Sequence, residues 1–153
     1  MRRKQLSKSE VRELCVNIKR LYGKDIIVGK RDSVELVDDK VVLVNKEPFF
    51  FFLDDMPVPT LKLLLSRDFL SKVVVDMGAV KFVASGADVM RPGIKEIDKG
   101  IRKNEFVVVV DLNNKKPIAV CQTLYSSEEL EKISTGKVLI NVHHVGDSVW
   151  SLA

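Results

Sequence analysis

Long apolar runs are missing from this chain of 153 residues. No stretch of about 18 apolar residues occurs, so a membrane-spanning helix is not expected. The basic start Met1-Arg2-Arg3-Lys4-Gln5 leads into no apolar segment of the kind a secretory signal needs. Cysteine is scarce: Cys15 and Cys121 stand far apart. Two isolated cysteines build neither a disulfide framework nor a zinc site. They read as reduced, buried thiols of a cytoplasmic protein. Catalytic signatures are absent as well. There is no nucleophile with a matched base, no glycine-rich phosphate loop opening a helix, and no motif of paired carboxylates. His143-His144 carries no metal-ligand spacing, and neighbours on a strand point to opposite faces. An enzyme is therefore not expected, nor a cofactor or a bound metal.

What is present is enough apolar sequence for a packed core, at 46%, and an uneven charge distribution. Residues 1–31 carry a formal charge of +7, residues 32–72 carry −3, and residues 73–153 are neutral. The basic excess lies wholly in the first segment. There Ser7-Lys8-Ser9-Glu10 forms a capping box. Val11, Leu14, Cys15, Ile18, Leu21 and Tyr22 follow at helical spacing, and Gly23 supplies a stop. Lys8, Arg12, Lys19 and Arg20 fall on the outer face of this helix as a candidate nucleic-acid footprint, or simply a solvated face.

After the helix the period changes. Ile26–Val28, Val34–Val37, Val41–Val44 and Phe49–Leu53 read as strands, with Asp38-Asp39 as a hairpin turn. The run Phe49–Phe52 reads as core rather than as a base-stacking surface. Thr60 caps a short helix, Leu61–Leu65. From Val73 on, Val73–Val75, Ala87–Met90, Glu105–Leu112, Ile118–Tyr125, Val138–Val142 and Ser148–Leu152 read as six short strands, the pattern of a small barrel. A short helix is expected over Ala79–Ala84 and another after the capping box Ser126-Ser127-Glu128-Glu129. Phe82 reads as core, and Trp150 as packing of the last strand.

The segment Val75–Ile94 concentrates chemistry. Gly78, Gly86 and Gly93 stand beside Lys81 and Arg91 between apolar anchors, a combination suited to a phosphate backbone. Gly78 and Ala79 would open a helix, whose N-terminus favours an anion. Lys81 can meet a phosphate as a point charge, and Arg91 can pair with it in a bidentate way. Pro92-Gly93 fixes the exit of the chain.

The order Asp-x-Gly-Ala-x-x-Phe-x-x-Ser-Gly-Ala-x-x-Met-x-Pro-Gly-Ile, from Asp76 to Ile94, resembles the start of a PUA domain. Its wording is most similar to the malignant T-cell-amplified sequence family and its relative ligatin. The resemblance extends from Pro59-Thr60-Leu61-Lys62-Leu63-Leu64 to Asn141–Trp150 and is architectural over residues 1–58. It implies an α+β chain: an N-terminal α+β domain over 1–71, then a PUA pseudo-barrel over 72–153. It also implies an RNA surface made by Gly78, Ala79, Lys81, Ser85, Gly86, Arg91, Pro92 and Gly93. At Arg91 the chain departs from the family, whose closest members often carry a smaller or uncharged residue there.

The function implied is RNA binding in translation, without catalysis. The partners would be a tRNA acceptor end or rRNA, the small ribosomal subunit, and a partner translation factor, with no membrane. Two rival readings stay open. One is an accessory subunit that delivers RNA to a pseudouridine or archaeosine modification system. The other is a protein-interaction adaptor working through Asp54, Asp55 and the apolar strand beside them.

Overall fold

The computed structural model describes residues 1–152. Its first half is an antiparallel meander with one long helix inserted between its first and second strands. Strands β1 (Arg3–Gln5), β2 (Val34–Val37), β3 (Val41–Val44), β4 (Glu47–Leu53) and β5 (Met56–Pro59) pair in sequence order. Helix α1 (Lys8–Tyr22) starts on the reciprocal Ser7–Glu10 capping box and ends at Gly23, whose φ of +67° is left-handed. Helix α2 (Leu61–Leu64) is capped by Thr60. The three hairpin turns each carry two residues at positive φ: Asp38 and Asp39, Asn45 and Lys46, Asp54 and Asp55. Asn and Asp tolerate that region best, which accounts for the tight turns.

Ile26–Val28 is not a strand. β1 already pairs with β2, so no edge beside β2 is free for it. The segment is an irregular loop with Ile26 buried and Ile27 86% exposed. β1 itself escaped the sequence reading because it is an exposed edge strand with no apolar residue.

The second half is a six-stranded sheet of order β7-β11-β10-β9-β6-β8. Its members are β6 (Lys72–Val75), β7 (Val89–Met90), β8 (Ile94–Ile97), β9 (Phe106–Asp111), β10 (Pro117–Thr123) and β11 (Lys137–His144). β7 and β8 lie at opposite edges, yet only a 3₁₀ turn, Arg91–Gly93, separates them in the chain. A link that short requires the edges to approach, so the sheet is rolled into a barrel. Helices α3 (Met77–Val83) and α4 (Ser127–Lys132) cover it. The sixth strand is Ile94–Ile97, not Ser148–Leu152. The latter is a helical turn, because the Asp147 side chain caps the Trp150 amide at 2.9 Å and Ser151 donates to the Asp147 carbonyl.

Two cores meet along β9. Val107 and Val109 pack inside the barrel with Val73, Val75, Ile94, Ala119 and Leu139. Phe106, Val108 and Val110 point the other way, into one cluster with Ile18, Leu43, Phe50 and Leu61 of the first half. Period-2 alternation thus buries both faces, and β9 is apolar throughout except for its terminal Asp111. Phe50 and Phe51 are buried and Phe49 and Phe52 half-buried, as the core reading of that run requires.

Candidate nucleic-acid interface

The Asp76–Ile94 segment runs from the end of β6 over α3 and back to β8. Asp76 is the N-cap of α3: its carboxylate accepts the Ala79 amide at 2.9 Å. Its own amide donates to the Gly93 carbonyl at 2.9 Å, tying the start of α3 to the 3₁₀ turn. The helix N-terminus therefore does not offer Ala79 to an anion, as the sequence had led us to expect. A carboxylate already fills that place.

The motif's glycines have different roles. Gly86 has φ +106°, and a Cβ there would stand 3.0 Å from the His144 ring. Gly93 abuts α3, where a Cβ would lie 3.2 Å from that of Ala79. Both are demanded by backbone conformation or close approach. Gly78 is exposed on α3, and its φ is not left-handed.

The two cations of the motif also diverge. Lys81 is exposed and has no carboxylate partner within ion-pair distance among the described residues. Arg91 is half-buried. Its Nε–H donates to the Leu130 carbonyl at 2.8 Å and its guanidinium to the Ile94 carbonyl at 3.2 Å. Its amide donates to the Gly136 carbonyl at 2.8 Å. Arg91 is thus a fastener joining the 3₁₀ turn to α4 and β8. The Ser85 hydroxyl donates back to the Lys81 carbonyl at 2.9 Å, and Pro92 is exposed beside Arg91.

Phe82 is not core. It is 62% exposed, with Met77 at 43% and Met90 at 50% in the same segment. Helical periodicity could not expose the error, because α3 is only two turns long and Val80, Phe82 and Val83 are all apolar. Val83 alone is fully buried.

The loop after α3 is held from β11. Asn141 donates from Nδ2 to the Val83 and Ala87 carbonyls at 3.0 and 2.9 Å, and its amide donates to Asp88 at 2.8 Å. That amide, more than the Lys137 ammonium at 3.0 Å, holds the Asp88 carboxyl below its usual range. Burial, reinforced by Asp88, pushes the Cys121 thiol up, so it is an inert core group.

On α1 the basic residues divide. Lys19 pairs with Asp25 at 3.4 Å, and Arg20 donates to Asn17 at 2.6 Å. Lys8 and Arg12 line a groove with Lys30, floored by Leu6, Val11 and Ile26. His143 is buried, and His144 lies against Gly86, so the pair faces opposite ways.

A PUA domain model matches residues 71–146, and a domain family of unknown function matches residues 2–67. An uncharacterised protein of Methanocaldococcus jannaschii is 42% identical, covering 95% of this chain and 93% of its own. Translation machinery-associated protein 20 of Saccharomyces cerevisiae is 30% identical, covering 99% of this chain and 92% of its own. Among solved structures, a hypothetical protein of Pyrococcus horikoshii superposes with a TM-score of 0.82 at 31% identity, over 97% of this chain and 98% of that one. A PUA domain protein of Aeropyrum pernix, solved with tartrate, gives 0.83 at 26% identity, over 97% and 89%.

Proposed function

The chain belongs to the PUA-domain family that includes translation machinery-associated protein 20 and malignant T-cell-amplified sequence 1, and from that premise we propose that it is a non-catalytic RNA-binding protein of translation. The observation that carries this reading is the outward side of α3. There a lysine unpaired among the described residues and an exposed phenylalanine stand on a helix fixed to the barrel by Asp76, Gly93 and Asn141. A cation beside an aromatic ring on a rigid support suits RNA, whose phosphates and bases need those two partners.

In this reading α3, Ser85, Gly86 and Pro92 hold the acceptor end of a tRNA or a single-stranded element of small-subunit rRNA. Arg91 and Gly93 shape the support. Lys8, Arg12 and Lys30 add phosphate contacts from the first half, where the +7 of residues 1–31 is concentrated. The work done is positioning: no bond is made or broken.

Binding to deacylated tRNA, intact and lacking its 3′-CCA, across a salt series tests the proposal. Affinity that falls with salt and needs the CCA end supports an acceptor-end grip. Salt-sensitive binding that ignores the CCA end moves the target to rRNA. No binding at low salt defeats the RNA reading and favours a protein adaptor.

A further inference from the structure

We infer that Gly78 and Phe82 together form a platform for one unpaired nucleobase, with Lys81 meeting the adjoining phosphate. This deepens the RNA-binding reading above and rests on it.

Phe82 is the sole aromatic among the exposed large hydrophobic residues of the described chain. On α3, helical geometry places Met77, Gly78, Lys81 and Phe82 on the outward arc and Ala79, Val80 and Val83 on the inward one. A helical side chain leans toward the N-terminus, over the residue four positions earlier. For Phe82 that residue is Gly78, which has no side chain to cover the ring.

The fold gives no reason for glycine at 78. Its φ is not left-handed, and a Cβ there would meet only the Asp76 Oδ1, at an ordinary 3.4 Å. Glycine inside a helix weakens it relative to alanine. Gly86 and Gly93 have the structural reasons already given, which leaves Gly78 as the motif glycine without one. A flat ligand lying over the ring supplies the missing reason.

Charge selects the ligand. The Lys81 ammonium lies 6.0 Å from the Phe82 ring centroid and has no ion-pair partner among the described residues, while the nearby Asp76 carboxylate is engaged at the helix cap. An aromatic face with a free cation next to it matches a base and its phosphate. Bases paired inside an A-form duplex cannot reach such a ring, so the platform selects unpaired nucleotides.

The test compares wild type with Phe82→Leu, Gly78→Leu, Gly78→Ala and Lys81→Gln, using tRNA with an intact CCA end across a salt series. Phe82→Leu is expected to weaken binding about tenfold with an unchanged salt slope, because a stack carries no charge. Lys81→Gln is expected to lower the slope by about one. Gly78→Leu should weaken binding like Phe82→Leu, whereas Gly78→Ala should raise Tm. That opposition between stability and binding is something a purely structural glycine would not show. Wild-type affinity in folded Phe82→Leu and Gly78→Leu would overturn the platform and leave the RNA reading standing. Failure of the wild type to bind any RNA would remove both.

Discussion

The Leu61 amide donates to Nε2 of His143 at 3.1 Å, so a side chain from the barrel caps the first turn of a helix in the other half of the molecule. The acceptor role of Nε2 assigns the proton to Nδ1, which donates to the Asp147 carboxylate at 2.8 Å. The ring is fully buried and meets Phe51 edge-on at 5.3 Å. Replacing His143 with alanine leaves a cavity, an orphan amide and a carboxylate without its donor. A loss of about 3 kcal/mol is expected in urea unfolding, seen equally by probes in both halves. A transition that splits into two, with the barrel unaffected, would contradict this role.

Asp147 supplies a pH signature. Burial pushes its carboxyl up, but the His143 ring and the Trp150 and His144 amides outweigh it and hold it down at about 2, against an ordinary 3.8. The folded value lies below the unfolded one. The contribution is therefore complete above about pH 4 and is lost as pH falls through about 2. Wild type should lose ~2 kcal/mol more than Asp147→Asn over that interval in acid titrations of unfolding free energy.

Gly86→Ala should be destabilising, unlike Gly78→Ala. The positive φ and the His144 ring 3.0 Å from the new Cβ both oppose it. A cost of about 1–2 kcal/mol is expected in thermal unfolding.

Much of the fold was legible in the chain. The Ser7–Glu10 and Ser126–Glu129 capping boxes are both formed, and Asp38-Asp39 turns a hairpin. The valine run of β9 announced a strand, although not the reason for its continuity, which is burial by a second core. What failed depended on distant partners. Ile26–Val28 has strand composition but no edge to join, and Ser148–Leu152 is turned by the Asp147 side chain. In the candidate segment the exposure of Lys81 and the left-handed turn at Gly86 were legible from residue type. Phe82 was misread because exposure is set by how a two-turn helix sits on the barrel.

Arg91 illustrates the same limit and carries a prediction. As a phosphate ligand its loss would lower affinity and salt slope together. As the fastener of Leu130 and Ile94, its replacement by alanine or lysine should cost about 2 kcal/mol in stability, with lysine giving no rescue because it lacks the planar fork. Lys81→Ala should weaken RNA binding at unchanged Tm. Calorimetry beside a binding titration separates the two.

The two-faced burial of β9 bears on how this protein can be taken apart. Cutting the chain near residue 71 to isolate the barrel would uncover Val74, Phe106, Val108, Val110 and Val120 at once, a greasy stripe across three adjoining strands. A fragment so exposed would self-associate rather than behave as a free-standing RNA module. The first half is, in that sense, the permanent lid of the second, and deletion experiments meant to assign RNA binding to one half would report on solubility instead.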